Sequence, residues 1–359
     1  MKMSKLEELR KSIDNIDERM LELLKERVAL VDDIYAAKKE EGIRESFDSD
    51  REVTLLKSLR KQAENRLSSA EVDAVFLQIL SICRHRQKET HVCVFGEKNG
   101  WTEDAALQRF GNSSTINAVD TAEDFLAGIE HGNLGFACVT PQFSSDRSAI
   151  LESLLSNKIS IVEEFTFSPE FSVVSNSAKD LSEVHEICVT NEILRLLRPY
   201  FVSMSFDIKI NICRSMSEAY ENLQSINPVA AILPSNLVKS RNDLIVIKEK
   251  LKSELLGPVK FMVFTNKARL QVGSGKKTTI LCALNGDSDK LWEMLAVVKA
   301  FNLKIYDIQT VDFEGKPWKK ITSLEFSAPA NQDELNHIIA DLEKKCILVK
   351  LCGIYSEYL

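Results

Sequence analysis

The chain has 359 residues, 44% hydrophobic and 28% charged, with a net charge of −7. That length allows two or three domains, while the acidic balance, with no basic stripe among aromatics, excludes a nucleic-acid partner. No run approaches the ~18 apolar residues of a membrane span and the N-terminus has no apolar leader, so a cytoplasmic protein without membrane association is expected. Eight cysteines stand singly, with no CxxC and no Cys/His cluster. They read as structural thiols of a reducing compartment, and neither a metal nor a cofactor is expected.

In chain order, Ser4-Lys5-Leu6-Glu7 forms a capping box, followed by apolar residues at alternating three- and four-residue steps: Leu6, Leu9, Ile13, Ile16, Met20, Leu23, Leu30 and Ile34. The spacing predicts one helix running without Pro or Gly to Gly42, roughly 55 Å long at ~1.5 Å per residue. A seam of that length needs a partner chain. Arg27 falls where the pattern calls for an apolar residue, and Lys38 lies eleven residues further, within about 20° on the same face. Two cations on a buried face call for carboxylates or a bound anion. A solvated pair of snorkelling side chains is the alternative. Asp48 is placed to cap a second helix over Ser49 to Asn65, and Ser68-Ser69-Ala70-Glu71 opens a third with Val72, Phe76, Ile79, Leu80, Cys83 and then Gln87 on one face. A three-helix bundle is predicted.

From His91 the periodicity changes. Strands are predicted at Val92–Phe95, Leu134–Val139, Ile159–Glu163, Phe171–Val174 and Val229–Leu233, with helices near Thr102–Phe110, Ser145–Leu155, Glu192–Tyr200 and Ser217–Gln224. This alternation predicts a two-lobed α/β domain. Gly275–Thr278 reads as a linker, after which strand, helix, two strands, helix and strand to Ile354 predict an α+β ferredoxin-like unit. The expected boundaries are residues 1–90, 91–274 and 275–359.

Arg10, Arg27, Lys38, Asp48, Arg51, Glu52 and Gln87 resemble, in type and spacing, the site of the all-helical AroQ-type chorismate mutases, with Cys83 where the family commonly has Ser. The resemblance covers residues 4 to 88 and implies conversion of chorismate to prephenate without a cofactor. It also implies roles: Arg10, Arg27 and Arg51 on carboxylates, Lys38 and Gln87 on the ether oxygen, and Asp48 and Glu52 on the ring hydroxyl and the surrounding charges. Arg10 lies seventeen residues before Arg27, about 100° away around the axis. An intertwined homodimer in which each site borrows Arg10 from its neighbour is therefore expected.

The stretch from Phe95-Gly96-Glu97 to Phe261 resembles prephenate dehydratases, and residues 279–354, with Gly315-Lys316-Pro317-Trp318, resemble the ACT regulatory module. That order is the P-protein architecture of phenylalanine synthesis. The dehydratase motifs are altered. Val259-Lys260-Phe261 stands for Thr-Arg-Phe, Pro141 to Arg147 replaces the family's anion loop, and Val189-Thr190-Asn191-Glu192 replaces Ser-His-Pro-Gln. Without the hydroxyl and the anion donors, a domain inactive as a dehydratase is expected. In the ACT-like unit, Gln309-Thr310-Val311-Asp312 and Asp289-Lys290-Leu291-Trp292 replace the amino-acid-binding phrases, so phenylalanine feedback is not expected. Two alternatives remain: a bifunctional mutase/dehydratase, and a non-catalytic regulatory subunit of the shikimate pathway.

Overall fold

The computed structural model describes residues 4–41, 47–63, 66–138, 147–156, 158–204, 208–224, 229–239, 241–252, 258–266, 275–284, 288–312 and 320–358. Three helices come first: α1 (Lys5–Glu40), α2 (Ser49–Gln62) and α3 (Ser69–Gln87). Both predicted capping boxes are formed, at Ser4/Glu7 and Ser68/Glu71, and Asp48 caps α2 by accepting from Arg51 N at 3.0 Å.

The helices do not close into the expected bundle. Val31 is the one buried side chain of α1, whose C-terminal half rests on α3 through the Asp32–Arg86 ion pair at 3.0 Å. All eight seam residues from Leu6 to Ile34 are 42–62% exposed. Helices α2 and α3 are locked by Arg60, which donates to both carboxylate oxygens of Asp73 at 2.8 and 2.6 Å. Their apolar faces then turn away from α1. Val53, Leu56, Leu77 and Leu80 enter one core with Val92, Phe110 and Phe136 of the following region. The reason lies in the stripe Ser49, Glu52, Val53, Leu56, spaced i, i+3, i+4, i+7, which faces the α/β region.

That region continues with β1 (His91–Phe95), α4 (Trp101–Phe110), β2 (Thr115–Val119), α5 (Ala122–Glu130), β3 (Leu134–Cys138), α6 (Arg147–Leu155) and β4 (Ser160–Phe167). A second lobe holds β5 (Glu170–Ser175), β6 (Glu186–Thr190), α7 (Asn191–Leu196), α8 (Arg198–Ser203), β7 (Lys209–Cys213), α9 (Met216–Glu221), β8 (Val229–Pro234), α10 (Ser235–Lys239) and β9 (Ile245–Lys252). The chain returns to the first lobe as β10 (Val259–Thr265). The single helix expected over Glu192–Tyr200 is two, because Pro199 has no N–H to carry the ladder across the junction. The tail is β11 (Lys277–Leu284), α11 (Ser288–Ala300), β12 (Ile305–Asp312), β13 (Lys320–Ser327), α12 (Gln332–Glu343) and β14 (Cys346–Tyr358), in the expected βαββαβ order.

Nine strands form one sheet in the order β12-β13-β11-β14-β4-β10-β3-β1-β2, and five form the second lobe's sheet, β7-β6-β8-β5-β9. The tail is thus not a separate bead, since β14 pairs in parallel with β4. The predicted linker is also corrected. Lys277 and Thr278 belong to β11 and are buried, Lys277 Nζ reaching Glu164 at 2.9 Å and Glu325 at 3.3 Å. Gly42, Pro141–Asp146 and Gly315–Trp318, to which the sequence also points, lie outside the described residues. The eight cysteines are free thiols, seven of them buried.

Candidate active sites of the helical and α/β regions

The helical region brings together part of the expected set. Arg27 on α1 donates through Nη1 to Cys83 Sγ on α3, so the cation in the seam turns toward the third helix. Lys38 is half-buried on the same α1. Gln87, in the last turn of α3, has a buried Oε1 with no hydrogen-bond donor among the described residues. Asp48 and Arg51 line an open hollow with Asp50, Thr54 and Leu55. Arg10 is exposed far along α1, about 25 Å from Arg27 at ~1.5 Å per residue.

Glu52 sits elsewhere. It is 6% exposed and faces the α/β region, where Arg84 Nη1 donates to its Oε1 at 2.5 Å and Arg109 Nη1 to its Oε2 at 3.0 Å. Arg109 is fully buried on α4 and also holds Glu163 of β4 through Nε and Nη2, at 2.5 and 2.7 Å. Ser49 closes the cluster on Glu163, and Arg84 Nη2 donates to the Phe110 carbonyl at 2.6 Å. Two guanidiniums thus balance two carboxylates, and the rings of Phe47, Phe110 and Tyr358 lie 5.0–5.5 Å from the Arg109 guanidinium. Burial alone would raise the Glu52 carboxyl, but Arg84 and Arg109 more than offset it and hold it below its ordinary range. Sequence reasoning missed Arg109 and Glu163. A signal existed: Arg109 shares the i, i+3, i+4 stripe of Ala105, Ala106 and Phe110, and two glutamates interrupt an otherwise apolar strand at 163 and 164.

Between the two lobes lies a second constellation. The indole N–H of Trp101, at the start of α4, donates to Glu192 of the second lobe at 3.1 Å. Glu97 accepts from the Met216 backbone N–H at the start of α9. Gly96, just before Glu97, permits a tight approach to α4, since a Cβ would meet Thr102 Oγ1 at 2.2 Å. Burial raises both carboxyls: at Glu97 the Met216 and Ser217 amides oppose it, and at Glu192 the Trp101 indole does. Val259 is 1% exposed on β10, one residue pair from Phe261, which stacks on Phe136 and meets Trp101 edge-on at 5.6 Å. Lys260 points to the opposite face, to Glu164 at 3.3 Å and Glu325 at 3.0 Å. Thr190 caps α7.

Residues 9–88 match the family of chorismate mutase type II, and residues 92–269 match the prephenate dehydratase family. The chain joins a chorismate mutase domain to a prephenate dehydratase domain. A protein of Pseudomonas aeruginosa named as a bifunctional chorismate mutase/prephenate dehydratase is 22% identical over 98% of both chains. A protein of the same name from Escherichia coli K12 is 24% identical over 97% of this chain and 95% of its own. Among solved structures, the prephenate dehydratase of Arthrobacter aurescens in complex with L-Phe superimposes with a TM-score of 0.63 at 15% identity, covering 74% of this chain and 90% of that one. At that identity the likeness shows the fold of the dehydratase domain and the tail that follows it. The expectation of a dehydratase domain that has lost its role is not favoured by these matches, since near-full-length relatives carry both activities in their names.

Proposed function

We propose that the chain is a bifunctional enzyme of phenylalanine biosynthesis, converting chorismate to prephenate in the mutase domain and prephenate to phenylpyruvate in the dehydratase domain. The observation that carries this reading is the uninterrupted succession of both family matches, together with near-full-length relatives named for both activities. A cytosolic location accompanies it, as does the absence of any cofactor requirement.

The mutase step is a unimolecular rearrangement. The protein's part is to hold a flexible dianion folded and to stabilise charge on the breaking ether oxygen. Arg27, Lys38 and Arg51 are the cations for the two carboxylates and the ether oxygen, Gln87 is the neutral donor and Cys83 lines the same wall. Asp48, beside Arg51, takes the ring hydroxyl. Arg10 belongs to the site of a second copy. The exposed α1 seam supports that homodimer, because eight large apolar side chains along one 36-residue helix need cover.

The dehydratase step needs an acid at the departing hydroxyl, and Val259 has none to give. Glu97 and Glu192, both raised by burial and both spanning the lobes, are the carboxyls suited to donate that proton. Prephenate's carboxylates then need donors other than a residue at 259. An amino-acid effector on the tail module goes with this reading and is supported by the L-Phe complex of the Arthrobacter relative, although Val311 supplies no charge to it.

A second reading, a mutase with an inert dehydratase domain, is favoured by one observation, the buried Val259 in place of a hydroxyl. One assay separates them. With chorismate as sole substrate, phenylpyruvate supports the bifunctional enzyme and accumulating prephenate supports the mutase alone. Untouched chorismate leaves only a regulatory subunit.

A further inference from the structure

The first turn of α2 serves two masters. Asp48 and Arg51 open onto the exposed hollow, whereas Ser49 and Glu52, about 100° per residue around the axis, are buried against the dehydratase domain. Four polar contacts, three in that turn and one two turns on, fix α2 to elements beyond the mutase helices. Ser49 binds Glu163, Glu52 binds Arg109, Asp50 accepts from Ser356 of β14, and Lys57 reaches the Glu357 carbonyl at 3.4 Å. The rotation and height of α2 are thus set by α4, β4 and β14. Within its own bundle, the ion pairs of α2 among the described residues, Arg60–Asp73 and Arg84–Glu52, go to α3.

We propose that Arg109, gripped by Glu163, is a positioning residue for the mutase reaction: through Glu52 it sets the angle at which α2 presents Arg51 and Asp48 to chorismate. The mutase site is then completed by the dehydratase domain, and a displacement of β4 or β14 passes directly into it. This rests on the mutase reading above. The chemistry favours a rigid coupling. A fully buried guanidinium shared between two carboxylates resists displacement, because sliding α2 would part Glu52 from Arg109 and leave buried charge unpaired.

The test uses the full chain. The double variant Arg109→Met/Glu163→Met removes one cation and one anion together and leaves Glu52 on Arg84, an exchange that buried pairs commonly tolerate. Chorismate consumption should show KM raised about tenfold with kcat changed less than about threefold, because substrate grip and not the chemical step is disturbed. Far-UV circular dichroism and the melting temperature report the fold separately. A folded double variant with wild-type KM overturns the proposal. Should that variant fail to fold, Glu163→Gln carries the test, since it keeps the side chain's shape and weakens the grip on Arg109 together with the contact to Ser49 of the same α2. A KM raised about threefold is expected for it, and an unchanged KM overturns the proposal. Arg109→Lys should recover most of the loss seen in the double variant if charge placement is what matters. A wild-type chain that does not consume chorismate defeats the mutase reading itself, and that result is seen before any variant is made.

Discussion

Asp104 sits where the two lobes of the dehydratase domain meet, its carboxyl pushed up to about 6 by burial, with Asn236 of α10 opposing the shift by hydrogen bonding. Its folded-state pKa exceeds the ordinary carboxylate value, so the folded chain binds a proton here that the unfolded chain releases. The contribution of this group to stability therefore falls as pH rises from about 4 to about 6. Asp104→Asn should remove the penalty and stabilise the protein at pH 7 by roughly 2 kcal/mol, less any loss at Asn236. Urea midpoints at pH 5 and pH 7 check it: the wild type should lose more between them than the variant. Glu52 carries the opposite sign. Its pKa is held down, so the stability it lends is present above the ordinary carboxylate range and is lost only as pH falls below it. In the mutase site, Lys38→Ala and Arg27→Ala should each cut kcat/KM by more than about tenfold with the fold retained, as each removes a cation and no apolar contact; a variant keeping more than a tenth of wild-type activity contradicts the assignment. Arg27 was legible because a cation broke a strict apolar rhythm. Arg109 was not, because a ten-residue helix offers too few turns for one odd residue on its stripe to stand out.

Helix α1 carries the clearest unpartnered surface. Its seam was readable residue by residue, and the exposed side chains from Leu6 to Ile34 confirm that this chain alone does not cover it. If a second copy does, with each site taking Arg10 from the neighbour, mixing and refolding Arg10→Ala and Lys38→Ala chains should restore mutase activity to about half of wild type in heterodimers, or about a quarter in the random mixture. Heterodimers confirmed by sizing but no more active than either parent contradict the shared site. The capping boxes and tail elements were equally readable, since Ser/Glu pairs and full-length periodic runs are local signals. The strands that escaped were β2, β6, β7, β9 and β10; three of them, β2, β7 and β9, lie at sheet edges, where exposed Asn117, Lys209 and Lys250 blur the alternation, while β6 and β10 are interior. Helix α5 escaped as well, although Thr121 caps it.

Over the whole molecule, the three expected units are joined by two shared structures. One core joins Val53, Leu56, Leu77 and Leu80 of the mutase helices to the dehydratase lobes, and one nine-stranded sheet joins the first of those lobes to the tail. Sequence patterns mark the ends of elements well and their partners poorly: nothing local to Glu357 or Tyr358 says that β14 will pair with β4, because the pairing is paid for by residues some 200 positions away. The same limit applies to function. The motif at Val259 predicts a lost activity, whereas the carboxyls of Glu97 and Glu192 come together across the lobes only in the folded chain. The most direct measurement supplies prephenate to the purified full chain at neutral pH and follows phenylpyruvate against the spontaneous background. The bifunctional account predicts enzyme-dependent phenylpyruvate that Glu192→Gln reduces by at least about tenfold; phenylpyruvate no faster than background, from a chain that still converts chorismate to prephenate, would contradict it.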